Sequence, residues 1–490
     1  MTATTAASGR ASRIPRKLAR GIRPRRVKGR WRTVKTVVLS AVAGTLYLLP
    51  WLRWSREAGR PQQAVLFDFA SAHAYVFGFE FGPQDLFLLL ALLIAAAFAL
   101  FLTNTLVGRV WCGFSCPQTL WTDLFVMIER WLEGDRQDRI RRHANPQNGR
   151  DWLRTPAKHG LWLAISAATG LTVVSYFVDA RVLWPEFLTG SASAAAATFV
   201  LVFTAATYLL AGFAREVVCT HMCPWPRFQA AMLDRDTLIV SYLSERGEPR
   251  GPLKRARPRS DGQGGDCVDC GLCVAVCPTG IDIRDGMQLA CIGCGLCADA
   301  CNGVMKKLDR PLGLISFVSE REMASPDAGS TAGIRRFRIR PVAFAALLTI
   351  TSGLIVWSLL ERTTIDVAIT HDRAPPFVTL SDGSIRNIFT LRVADRRAER
   401  SRLRVTVDDL AGAVVQVSRS AEQGAHADEL GFAGTPSGEA TFRLVVSVPS
   451  IAAPAGRRDL TFHVVDTGSG AVVATVVSYF WGPEGGTRAP

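Results

Sequence analysis

Apolar positions along this chain gather into long blocks and then give way to short alternating runs. Four blocks, roughly 34–51, 86–107, 193–213 and 341–360, reach the length of about 20 residues that a helix needs to cross a bilayer. A fifth, about 159–178, is weaker but carries no charge between Leu161 and Val178. The pattern predicts an α-helical membrane protein with five transmembrane helices, a buried core helix being the alternative for the fifth run. Beyond the last block the period changes to two, in Ile388–Val393, Leu403–Val407, Ala413–Val417, Thr441–Val446, Leu460–Val464 and Ala471–Tyr479. Such runs, broken by turn residues, predict an antiparallel all-β sandwich over 365–482. It is expected to be immunoglobulin-like, although the Cys–Trp–Cys signature is missing.

The net charge of +15 is distributed by segment. Lys and Arg number twelve in residues 1–35, nine in 108–158 and eighteen in 214–340, but three in 52–85 and one, Arg181, in 179–192. Because cytoplasmic segments carry the excess, the N-terminus and 214–340 are expected in the cytoplasm, and the C-terminal sandwich in the periplasm, of a multi-pass inner-membrane protein. The charge is read as a topology signal and not as a nucleic-acid footprint. Residues 34–51 read as an uncleaved anchor, since no small-residue cleavage site follows. The expected organisation is a basic tail (1–33), a membrane domain (34–244), a Pro/Gly/Arg linker (245–265), a cysteine-rich domain (266–310), a connector (311–340), the last span (341–360) and the sandwich. The first outer loop, 52–85, is aromatic and contains His73, more plausibly an interfacial residue than a ligand.

All twelve cysteines fall into four groups. Two of these, Cys267, Cys270, Cys273, Cys277 and Cys291, Cys294, Cys297, Cys301, each have the spacing C-x2-C-x2-C-x3-C. This is the pattern of a bacterial-type ferredoxin-like insert with two 4Fe–4S clusters, in which the fourth cysteine of each run crosses to the other cluster. Cys267, Cys270, Cys273 and Cys301 are therefore expected to hold one cluster, and Cys291, Cys294, Cys297 and Cys277 the second. Structural zinc is the weaker alternative for the same thiols. The other two groups are both C-x3-C-P: Cys112-Gly113-Phe114-Ser115-Cys116-Pro117 after the second apolar block, and Cys219-Thr220-His221-Met222-Cys223-Pro224 after the fourth. Spacing of i, i+4 puts two thiols on one helix side, and two such helix ends could converge on a four-thiol site. Soft thiolates select Cu(I), zinc or iron–sulfur clusters, with His221 and Met222 as further donors. A redox dithiol and structural burial remain open alternatives.

These motifs together resemble the CcoG/FixG/RdxA family of accessory proteins found with cbb3-type cytochrome c oxidase, related to polyferredoxin-like membrane proteins of the NapH and NosR type. The resemblance runs through WCGFSCPQT, CTHMCPWPRFQ, the segment from Asp266 to Cys301 and the C-terminal domain. It implies reduction of Cu(II) to Cu(I) in the cytoplasm for oxidase assembly, an oxidoreductase activity with copper as substrate or bound ion. It also implies assembly factors and a copper chaperone or exporter as partners, with an unidentified cytoplasmic electron donor. Carried over to this chain, the eight cysteines from Cys267 to Cys301 are cluster ligands, and Cys112, Cys116, Cys219 and Cys223 meet copper or relay the electron. One departure is Asn302 where proline would follow the second run. Two rival functions remain: a quinol-linked electron carrier feeding a periplasmic reductase, and a redox-sensing assembly scaffold. No G-x-G-x-x-G or G-x-x-x-x-G-K-[ST] fingerprint is present, so electrons must come from another protein or a small reductant.

Overall fold

The structure, a computed structural model, describes residues 21–56, 60–144, 151–252, 264–323, 338–361, 365–372, 374–395, 403–408, 410, 412–419, 429–430 and 439–483. Residues 1–20 of the expected basic tail, 253–263 of the expected linker and 324–337 of the expected connector lie outside the described residues. The chain divides into two compact units. One comprises Met1–Leu52, Gln63–Asp68 and Phe81–Ile355, and the other Arg53–Gln62, Phe69–Glu80 and Val356–Pro490.

Among the described residues, four helices are long and apolar enough to cross a membrane: Arg30–Trp51, Leu86–Val107 and Ala194–Met222 in the first unit, and Ile339–Leu360, whose last residues are counted with the second. The first contains α1 (Arg30–Leu48). Its N-terminal amides are met by one carboxylate: Trp31 and Arg32 donate to Asp299 at 3.2 and 2.7 Å. A negative charge there complements the helix dipole and satisfies donors that have no partner within the helix. The second is α2 (Leu86–Val107), followed by α3 (Val110–Phe114), α4 (Pro117–Glu133), α5 (Arg136–Ala144), α6 (Asp151–Val174) and α7 (Ala180–Thr189). Residues 159–174 of the fifth expected run, 159–178, fall in α6, whose first half carries Asp151, Arg154 and Lys158 and which is not among the four.

The span Ala194–Met222 begins as α8 (Ala194–Leu209) and is interrupted by two π-helical turns, Leu210–Ala214 and Val218–Met222. Between them Arg215 has φ +36°, a conformation that L-residues seldom adopt. π-turns of this kind concentrate at functional sites. The cysteine-rich segment that follows is closed at its ends by a two-stranded sheet. In it β4, Ile239–Tyr242, pairs antiparallel with β5, Ile315–Val318, once three short strands nearer the N-terminus are numbered β1 (Val65–Asp68), β2 (His73–Val76) and β3 (Phe79–Phe81). Val240, Tyr242, Ile283, Met305, Leu314 and Ile315 form its core beside the thiols. His73 of β2 has Nδ1 2.6 Å from the Ser71 carbonyl.

The C-terminal strands are β6 (Ile365–His371), β7 (Val378–Thr379), β8 (Ile385–Asp395), β9 (Leu403–Asp408), β10 (Val414–Arg419), β11 (Glu429–Leu430), β12 (Glu439–Val448), β13 (Arg457–Asp466) and β14 (Val472–Trp481). One sheet has the order β10-β12-β8-β6, with β7 also on β8, and the other β11-β9-β13-β14. Alternate residues point inward: Phe389, Leu391 and Val393 from one sheet and Leu460, Phe462 and Val464 from the other are at most 1% exposed. Asn387, also fully buried, ties the sheets by exchanging two hydrogen bonds with the Trp481 backbone, at 2.8 and 2.9 Å.

Candidate functional site

Two cavities in the cysteine-rich segment are ringed by thiols. Cys267, Cys270, Cys273 and Cys301 line one, beside Tyr242 and Arg284. Cys277, Cys291, Cys294 and Cys297 line the other, and Cys273 also borders it, on the wall between the two. Local backbone geometry produces the rings. In each run a left-handed residue follows the first cysteine by two positions (Asp269 at φ +50°, Gly293 at φ +67°), and a left-handed glycine, Gly271 or Gly295, then opens a helix. This turns backbone N–H groups onto sulfur: Gly293 donates to Cys291, Leu296 to Cys294 and Val274 to Cys273. Asn302, in the place where a proline would follow the second run, accepts from the Gly313 amide at 2.8 Å and fixes the exit of the helix Leu296–Lys307.

Burial pushes the thiols up, Cys301 to about 12 and Cys273 and Cys291 to about 11, so loading with metal must release protons. Among the described residues no group of three or more His, Cys, Asp or Glu is arranged to hold a metal ion. A single zinc would need four sulfurs on one centre. A cubane seats each thiolate on a different iron and spaces them more widely, so the rings and their N–H···S bonds fit 4Fe–4S clusters.

The two C-x3-C-P motifs also come together. Cys112 lies in α3, Cys116 caps α4, Cys219 lies in the second π-turn and Cys223 ends it. Burial raises the Cys112 thiol to about 12, opposed by the Arg109 guanidinium and reinforced by Cys116, Cys219 and Cys223, so the thiols of the second motif lie near enough to act on the first. Cys223 is exposed and the other three are half-buried. His221 is exposed with Nδ1 2.7 Å from Thr220 Oγ1, and Met222 is 59% exposed.

Arg109, Gln229, Gly113 and Gly293, which the sequence did not single out, join the two thiol sets. The buried Arg109 guanidinium donates to the Leu289 carbonyl and, at 3.3 Å, to Gln229 Oε1, which also accepts from Cys112 Sγ at 3.2 Å. A Cβ on Gly113 would stand 2.8 Å from the Ile292 carbonyl oxygen and 2.9 Å from Cys294 Cα. One on Gly293 would stand 3.2 Å from the Arg109 carbonyl. The loop Cys291–Cys297 is thus pressed backbone to backbone onto the first C-x3-C-P motif, and Cys112 packs into a cluster with Ile292, Cys294 and Leu296. Lys35 of α1, 1% exposed, stands 3.6 Å from Asp123, and its charge acts on Cys294.

Comparison with known proteins agrees with the chemistry of these thiols. Residues 214–320 match the 4Fe-4S dicluster domain family, 88–134 a 4Fe-4S binding domain and 355–483 the IG-like fold at the C-terminal of FixG. Nitrogen fixation protein FixG of Rhizobium meliloti is 41% identical over 82% of this chain and 82% of its own. The chain belongs to the FixG/RdxA family. Protein RdxB of Cereibacter sphaeroides is 45% identical over 78% of this chain and 81% of its own, and Protein RdxA of the same organism 41% over 94% and 97%. A crystal structure of a FixG-related protein from Vibrio parahaemolyticus aligns with 24% of this chain and 97% of its own at 12% identity, but its TM-score of 0.20 is too low to add to the argument. This FixG/RdxA relative is an iron–sulfur membrane redox protein with a C-terminal Ig-like domain.

Proposed function

We propose that the protein reduces Cu(II) to Cu(I) at the four span-end thiols, in the cytoplasm, for the assembly of a cbb3-type oxidase. Cys267, Cys270, Cys273 and Cys301 are the ligands of one 4Fe–4S cluster, and Cys277, Cys291, Cys294 and Cys297 of the other. When bound, the clusters supply one-electron transfer, which matches the one electron that separates Cu(II) from Cu(I). The chain's own part is positional. Cys270 is exposed and opens the first ring to a donor protein, while Cys112 touches the loop of the second ring. Cys112, Cys116, Cys219 and Cys223 are soft donors that favour Cu(I), an ion satisfied by two thiolates, over Cu(II) as product; among the described residues no three of them share one metal position. In this reading five helices span the membrane, with α6 as the additional one, the cysteine-rich segment is cytoplasmic and the sandwich periplasmic, available to assembly partners.

The observation that carries the reading is the packing of Cys112 and Gly113 against Ile292 and Cys294. It leaves no room for solvent between a cluster-ligand loop and the candidate copper site. The test is anaerobic: reduce the cluster-loaded protein, add Cu(II), follow cluster absorbance and EPR, and trap Cu(I) with a specific chelator. Stoichiometric reoxidation that disappears in Cys112→Ser and Cys219→Ser is expected. Unchanged copper reduction in both variants would sink the placement of copper at these thiols. A second reading has its own support in the match of 88–134 to a 4Fe-4S binding domain: the four span-end thiols hold a third cluster. It predicts about twelve irons per chain where the first predicts about eight.

A further inference from the structure

Away from the thiol rings, the C-terminal end of α4, the helix α5, the start of α6 and the first π-turn enclose an open cavity. Five arginines and Lys158 line it against Glu129, Glu133 and Glu216, so the wall is net positive. Two of the carboxylates are already engaged. Glu129 pairs with Arg139 at 2.6 Å and with Arg215 at 2.5 Å, and Glu133 with Lys158 at 2.8 Å and Arg139 at 3.3 Å. Even so, Arg139, 7% exposed, keeps Nη1 buried with no hydrogen-bond partner among the described residues, and so does Arg142 one helical turn further along α5. A buried donor left unpaired costs about 1–3 kcal/mol, so two such guanidinium donors on one cavity wall favour an acceptor beyond the described residues. Trp162, at the inner edge, stacks on Phe125 with ring centroids 4.9 Å apart and provides an apolar floor.

We propose that this cavity binds a phosphate group, held by Arg139 and Arg142. Guanidinium forks match phosphate oxygens in geometry and charge. The cavity lies where the charged start of α6 meets Gly212–Glu216 of the membrane-length helix Ala194–Met222; an anionic phospholipid would present such a group beside that helix, and a soluble phosphate would offer the same chemistry.

The full-length protein, purified in detergent, is to be compared with Arg142→Gln and Arg142→Lys. Arg142 is chosen because Arg139 also anchors Glu129, so its loss could unfold the region. Native mass spectrometry reads retained lipid after exposure to phosphatidylglycerol or phosphatidylcholine, and isothermal titration with inorganic phosphate reads the soluble source. Wild type should retain one phosphatidylglycerol in preference to phosphatidylcholine, Arg142→Gln should bind it about tenfold more weakly, in line with loss of a charge-assisted hydrogen bond, and Arg142→Lys should fall between. Binding of inorganic phosphate that the Gln variant loses, without lipid retention, would support the site and assign it to a soluble ligand. Equal retention of both lipids and equal response to phosphate by wild type and Arg142→Gln would overturn the proposal.

Discussion

The two cysteine loops, Cys267–Cys273 and Cys291–Cys297, share spacing, a left-handed residue at the same place and a glycine that opens a helix, yet they meet different surroundings. In the first loop the left-handed residue is Asp269, 52% exposed at its side chain and paired with Arg284 at 2.5 Å, and the neighbouring Cys270 is exposed. In the second it is Gly293, with the Arg109 backbone where a Cβ would go, and the neighbouring Cys294 is buried. A duplicated cluster-type loop has thus been specialised by what it touches. One stays accessible to a partner, and the other has given up a side chain to dock on the C-x3-C-P motif. The cation beside each loop differs in the same way: Arg284 is matched by two carboxylates, whereas Arg109 is bound by neutral oxygens.

The sharpest way to break this comparison is to exchange the special residues. Gly293→Val puts a β-branched side chain at positive φ against a backbone, a combination that fits neither sterics nor packing. Iron content should fall from about eight to about four per chain, while Asp269→Gly should keep its full iron, as measured by metal analysis and EPR. Full loading of Gly293→Val would show that the docking is not needed for the second ring.

A smaller effect is expected where a single methyl is added. Gly113→Ala should destabilise the loaded protein by about 1–3 kcal/mol through overpacking against Ile292, read as a lower unfolding midpoint in detergent. Gly271→Ala, where nothing stands within 4 Å of the added Cβ, should cost only the left-handed backbone penalty, about 1–2 kcal/mol. If both lower the midpoint equally, the contact with Ile292 is not tight.

Charge gives the finest discrimination. Arg109→Gln should lower the reduction potential of the second cluster by about 60 mV, the one-electron equivalent of about 1.4 kcal/mol, because removing a nearby cation makes the added electron less stable. Arg284→Gln should lower that of the first by about half as much, on the order of 30 mV, since Asp269 and Asp282 already offset its charge. EPR-monitored titration resolves the two. A shift of the first cluster in Arg109→Gln would mean that the rings have been assigned to the wrong surroundings.

Much of this was legible in the chain. Each of the six alternating runs falls on a strand between β8 and β14, two of them starting one residue before it at Ala413 and Ala471, because a half-buried strand writes its period directly into sequence. β6 lies inside the range expected for the sandwich, 365–482, but corresponds to none of the six runs. The four strongest apolar blocks are the four membrane-length helices, whereas the fifth run is part of a helix whose charged first half dilutes it. The π-turns at Leu210–Ala214 and Val218–Met222 leave no mark, since one extra residue per turn barely changes an apolar pattern. Gln229 ends the segment CTHMCPWPRFQ but has no metal-ligand chemistry of its own, and only its position between Arg109 and Cys112 gives it a role.

Sequence by itself determined the ligand chemistry, the apolar blocks and the strand periods, because thiol spacing and hydrophobic periodicity are local properties that a few consecutive residues contain. Tertiary structure alone decided that Asp299 caps a helix 267 residues upstream in the chain, that Cys273 stands on the wall between the two rings, and which of two equal loops lies against the span-end cysteines. Those are contacts between segments remote in sequence, fixed by backbone approach and the pairing of buried charge, and no local pattern encodes them.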